Sequence, residues 1–520
     1  MKIASRAGLI ALFLLTSAFG LPAFAQRLIF PSDVEAVLDS LDRKASPGLF
    51  RPVHDDKGST IASLPTLGGT EIRLLPVSTF ESYNTNFPYG DDDGALWQGL
   101  GLNGISSAGA EIAWAWGSIK LDPEWWFAQN LGYEHALGSA PGSNGDYWWG
   151  LDRLQSYGTG FYQSFDWGQS EVRLRYGGFT LGFGTENLQL GPAEIQNIIL
   201  SNNAPGFPLL DLGTDGPIAT KFGAFDARFF WGQTQTSQWY DSDPSTDKFL
   251  WCGGTFSYSP PFLDSMSFGF IRAFHSPWST MDGWKLFEFF DDTVWKYYRD
   301  APLTANGQDD IDQVLSFTWE WRVPETGSRF YLEWARNDSA GDIMDFIMQP
   351  DHSDGYTAGI QQKLTFKDAS RLLVSVEISD LGNNIGTTVR PTGSWYRHSV
   401  DDNDDIDPGY TDDGQVMGAP EGPGSNTQEI NLYYLRDGWF VGLGLQRVNF
   451  DADYYYSFYS SDNNYEGYNL LLTAALRGGI RIDKLELGAM LAFVQNWNQG
   501  FILGNYVYGW HFEFAMKYAL

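Results

Sequence analysis

The fifteen residues 506–520 alternate without a break. Tyr506, Tyr508, Trp510, Phe512, Phe514, Met516, Tyr518 and Leu520 are apolar or aromatic, and Val507, Gly509, His511, Glu513, Ala515, Lys517 and Ala519 stand between them. Successive side chains of a strand point to opposite faces, so this stretch has one oily face and one mixed face. The oily face must be covered, either by a second layer of protein or by hydrocarbon.

The same period recurs through the chain. Leu315, Phe317, Trp319, Trp321 and Val323 alternate with polar partners, residues 324–328 turn, and Phe330, Leu332 and Trp334 alternate back. Val172-Leu174-Tyr176 and Phe179-Leu181-Phe183 flank Gly177-Gly178, and Ile430-Leu432-Tyr434 faces Trp439-Val441-Leu443-Leu445. Further runs start at Leu372 and Leu485. Aromatic residues make up 16% of the chain, with 21 Trp and 58 Gly, a composition that suits aromatic girdles and many tight turns. The expected fold is all-β: a transmembrane antiparallel β-barrel of about 18 strands, at roughly 25 residues per strand and connection. A soluble β-sandwich or propeller gives the same alternation and stays open from pattern alone.

Residues 1–25 read as an export signal, with Lys2 and Arg6, an apolar centre from Ala7 to Leu15, and Ala23-Phe24-Ala25 before a cleavage between Ala25 and Gln26. Residues 26–66 form a short helical segment, expected at the periplasmic mouth. In it Ser32 and Glu35 make a capping box, and Val34, Val37, Leu38 and Leu41 recur at helical spacing. Residues 67–520 are the barrel with its loops. Such a chain implies the outer membrane of a diderm bacterium, contact with its lipid, and help from barrel-insertion machinery. With 33 basic and 64 acidic residues, the net charge of −31 opposes any nucleic-acid partner. Cys252 is the one cysteine, so an intrachain disulfide is excluded, and inert packing is its expected role.

No catalytic pattern emerges, and the chain reads as a non-enzyme without a cofactor. The six histidines are scattered, no G-x-S-x-G elbow occurs, and the GLGLNG string at Gly99–Gly104 runs into a strand pattern rather than a helix. Asp401, Asn403, Asp405 and Asp407 place oxygen ligands at alternate positions, without the central Gly or distal Glu of an EF-hand. A weak calcium site and a hydrated acidic loop are the two readings. Tyr454, Tyr455 and Tyr456 suit either stacking on sugar rings or a membrane interface.

Three segments carry a resemblance. They are NTNFPYGDDDGALWQGLGLN at 84–103, GFGTENLQLGPAEIQNIILSNNAPGFP at 182–208, and GYTDDGQVMGAPEGPGSN at 409–426. Together they resemble the Wzi family of capsule-assembly outer-membrane proteins. The resemblance implies an 18-stranded barrel and a lectin-like role in binding or organising surface polysaccharide. Within these segments Trp97 and Gln98 are candidates for stacking and hydrogen bonding to sugar, as are Asn202 and Asn203. The competing reading is that Trp97 packs and the asparagines hold turns. Gly191-Pro192, Ala204-Pro205 and Phe207-Pro208 exclude a central strand, so 182–208 is expected to fold as an ordered loop against the barrel interior. The alternative function is a channel for small solutes, which a lumen filled by that loop would block.

Overall fold

The computed structural model describes residues 28–53, 59–64, 69–135, 151–240, 243–280, 289, 312–337, 343–383, 394–397, 408–458 and 467–520. Among them, 24 strand segments join one sheet whose ladders are antiparallel. From Phe179–Gly184 onward, each long strand lies beside the next in chain order, and Val507–Tyr518 pairs with Val77–Asn84, from His511↔Asn84 to Tyr518↔Val77. An early strand therefore lies against the last one.

The early strands are interrupted. Thr70–Leu74 and Val77–Asn84 follow one another, as do Gly101–Ser107 and Ala110–Trp114, and both halves of one run pair with both halves of the next. Pro76, which has no N–H to give a ladder, sits in the first gap. The expectation of about 18 strands rested on roughly 25 residues per strand and connection, and interrupted runs such as these divide into more segments than that.

The hairpins form where the alternation placed them. Gly177-Gly178 and Asp437-Gly438 close two-residue turns with positive φ at both positions. In Trp439–Phe450 the residues Val441, Leu443 and Leu445 point out and are 43–49% exposed, while Phe440, Gly442 and Gln446 are buried. The last strand repeats this pattern: Tyr508, Trp510 and Phe512 are exposed, and His511 and Glu513 buried. Large apolar side chains outside and buried charges inside are the reverse of a soluble core. A lipid-facing barrel surface has that arrangement.

The lumen is occupied. The stretches 85–100, 151–158, 185–208 and 408–425 are mostly buried. Leu188, Leu190 and Ile198–Leu200 pack with Trp395, Tyr396, Tyr410 and Met417 against inward residues of the wall, including Phe230, Trp251, Ala273 and Ala335. Charged wall residues hold this filling in place. The Glu377 carboxylate accepts the backbone N–H groups of Glu194, Ile195 and Gln196 at 2.8–3.1 Å and the Tyr331 hydroxyl at 2.6 Å. Glu333 accepts Ile198 N–H at 3.2 Å, and Arg329 donates to Pro192 O. Four backbone donors of the proline-interrupted loop thus meet fixed carboxyl acceptors, which offsets the cost of burying both. Cys252 is buried with Leu250 and Phe274.

The N-terminal helix, Pro31–Ser40, sits at the short-turn end, its Val34 and Leu38, with Leu41 beyond it, against Leu373, Tyr433, Leu435 and Phe440. The expected capping box is not made. The helix starts at Pro31 with Phe30 as its cap, two residues earlier than a Ser32 cap would place it, and the Asp33 carboxylate accepts Phe30 N–H at 2.9 Å. Ser32 donates instead to Glu486, and Glu35 pairs with Arg481 at 2.8 Å. Arg371 with Asp39, and Lys363 with Asp42, extend these ion pairs around the mouth. The wall offered these side chains better partners than the helix backbone did.

Candidate functional site

The three motif segments converge. Asn84 ends a strand and donates to Tyr89 O at 2.9 Å and Gly99 O at 3.0 Å, pinching the loop 85–100 at its base. Gln98 accepts from Ser82 Oγ and donates to Asp93, and Gly90 lies so close that a Cβ there would meet the Gln98 side chain at 2.6 Å. Asp92, in the left-handed region at φ 59°, accepts Asn202 N–H at 3.0 Å and through its carbonyl Asn202 Nδ2 at 2.7 Å. Asn203 Nδ2 donates to Val416 O at 2.8 Å. Val416 belongs to a small hairpin, Thr411–Asp412 with Gln415–Val416, turned by Asp413-Gly414 with φ of 46° and 82°.

A cavity of about 240 Å³ lies where these segments meet the wall. Loop residues Tyr89, Asp91, Asp93, Trp97, Gln98, Asn203, Gln415 and Glu421 line one side. Val448, Phe450, Asn469, Leu471 and Asn496 line the other. The wall residues come from the ends of Trp439–Phe450, Asn469–Ile482 and Leu485–Trp497 that lead into the long connections, so the cavity sits at the long-loop end. Asn469 and Asn496 are 5% and 7% exposed, and their Oδ1 atoms, themselves closed to solvent, have no hydrogen-bond partner among the described residues. Glu421 accepts from Gln446, which also reaches Asp91. Burial, with the Asp91 charge beside it, pushes the Glu421 carboxyl up to about 8. Apolar side chains, amides and carboxyls around a partly enclosed volume describe a small polar-ligand site.

Sequence candidates fall on both sides of that description. Trp97, Gln98 and Asn203 line the cavity, although Trp97 is mostly buried against Tyr157, ring centres 5.1 Å apart. Asn202 is fully buried behind the lining and engaged with Asp92. Tyr454 and Tyr455 pack on Phe501, and Tyr456 is half-exposed on the same short helix, none of them lining the cavity. Asp401, Asn403, Asp405 and Asp407 lie outside the described residues, as do Ala25 and Gln26. Asn469 and Asn496 were not anticipated. Period-2 alternation places both on the inner face, but gives them nothing to distinguish them from Thr473 or Arg477 beside them.

No protein-family model and no curated protein matches the chain. Among solved structures, the fold resembles that of Wzi, described as an outer-membrane protein involved in group 1 capsule assembly in Escherichia coli and a carbohydrate-binding β-barrel. The TM-score is 0.55 at 13% identity, covering 85% of this chain and 84% of that one. OprD of Pseudomonas aeruginosa aligns over 91% of this chain and 97% of its own at 11% identity and a TM-score of 0.38.

Proposed function

We propose that this chain is a non-enzymatic outer-membrane protein that binds or organises surface polysaccharide. The observation that carries this reading is the long-loop-end cavity, in which amides, carboxylates and apolar side chains converge from three loop segments and the wall. The outward apolar face supports a place in the outer membrane, reached through export and cleavage after Ala25. The fold's likeness to a barrel described as carbohydrate-binding is in keeping with it. A solute channel is the competing function. The loop held by Glu377, Glu333 and Arg329 within the lumen weighs against it. Purified protein in detergent is expected to retain surface polysaccharide isolated from its own cells, and a deletion strain to show altered surface glycan. No retention together with normal surface glycan would overturn the proposal.

A further inference from the structure

We infer that residues 41–53 form a strap that couples the docked helix at the mouth to the loop in the lumen, so that undocking the one loosens the other. The strap has a foot in each of two apolar clusters. Leu41, at its near end, packs with Val34 and Leu38 of the helix against Leu373, Tyr433, Leu435 and Phe440. Leu49, further along, belongs to the lumen cluster with Leu188, Leu190 and Ile198. It fills the space beside Gly269 of the wall strand Met266–Pro277, where a Cβ would meet its Cδ1 at 2.5 Å. Between the two, Lys44 pairs with Asp264 and Ala45 is buried.

Beyond Leu49 the strap joins the hydrogen bonding of the loop itself. Phe50–Pro52 pairs antiparallel with Leu188–Leu190. Gly191 N–H donates to Leu49 O at 3.2 Å, Val53 N–H to Asn187 O at 2.9 Å, and Arg51 Nη2 to Ala193 O at 2.7 Å. The Arg228 guanidinium of the wall lies 4.7 Å from the centre of the Phe50 ring. From there the bonds pass on. Leu190 N–H donates to Leu200 O at 3.0 Å, and Asn202 N–H to Asp92 at 3.0 Å, within the loop that lines the cavity. With the helix docked, the near end of the strap is already fixed, and ordering Phe50–Pro52 costs less chain entropy. An undocked helix restores that cost, and the loop backbone paired with the strap bears it. Residues 194–198 are held from the wall by Glu377 and Glu333, independently of the strap.

Amide exchange of the full-length protein in detergent tests this, and it needs no ligand, so its outcome is separate from that of polysaccharide binding. Val34→Asp with Leu38→Asp undocks the helix. Exchange in 187–191 and 200–204 is expected to rise by about tenfold or more, with 194–198 and the wall strand Lys248–Ser259 little changed. A flexible Gly-Ser insertion of about ten residues between Ser46 and Pro47 gives the strap slack. In that background the double substitution should leave 187–191 and 200–204 as they are in the inserted protein alone. Heat-modifiable gel mobility verifies that each barrel is folded. Should the aspartates prevent folding, Glu35→Gln with Asp39→Asn removes two of the ion pairs that hold the helix and is expected to give the same pattern at smaller size. Faster exchange confined to 31–45 in a folded variant, or an equal rise in 187–191 and 200–204 with and without the insertion, would overturn the inference.

Discussion

At the scale of single residues, the lumen concentrates carboxyls that burial keeps from ionising. Asp413 stands in the turn of the Thr411–Val416 hairpin beside Asp152 and Asp166, and burial, with those two charges, raises its carboxyl to about 7 from an ordinary value of 3.8. A folded value above the unfolded one means that ionisation costs folding free energy. The stability is complete below about pH 4 and is lost as pH climbs through 7, by a few kcal/mol in all. Asp413→Asn keeps the shape and tolerates the left-handed φ, so it should slow amide exchange across 408–425 at pH 8 and leave it little changed at pH 4. Equal exchange in parent and variant at both values, after correction for intrinsic rates, would refute this. The residue-level site was only partly legible in the sequence. Trp97, Gln98 and Asn203 were singled out on resemblance, whereas Asn469 and Asn496 line the cavity because segments far apart in sequence close over them, and no local pattern reports that.

At the scale of elements, strands were legible because a period of two survives any tertiary context that keeps one face oily. The positions of Leu315 to Trp334 and of Gly177-Gly178 were set by that period and by turn chemistry. The N-terminal helix was legible for the same kind of reason, but its cap was not: Ser32 and Glu35 answer to Glu486 and Arg481, more than 400 positions away. The proline-rich loop was recognised by what it could not be, a central strand. What it became depends on Glu377. Glu377→Ala leaves three backbone donors and the Tyr331 hydroxyl without their acceptor, at roughly 1–3 kcal/mol for each group that water cannot reach. The urea midpoint of the variant in detergent micelles should fall clearly below that of the parent, with Glu377→Gln between them. An unchanged midpoint for the alanine variant would show that the loop is held by other means.

At the scale of the whole molecule, the inside and outside of the barrel exchange the roles they have in a soluble protein. Buried Glu333, Arg336 and Glu377 face inward, and exposed Leu443, Leu476 and Phe512 face outward on strand after strand. Sequence alternation alone left two coverings for the oily face. The pairing of Val507–Tyr518 with Val77–Asn84, and the absence of any described layer over the outward residues, leave hydrocarbon as the covering that matches. The cavity and the held loop both presuppose that placement. The most direct measurement is fractionation of cells on a density gradient, followed by transfer of the purified mature chain into buffer without detergent. The chain is expected in the outer-membrane fraction and to aggregate once detergent is withdrawn. A folded, monomeric protein in plain buffer, recovered from the soluble fraction, would contradict it.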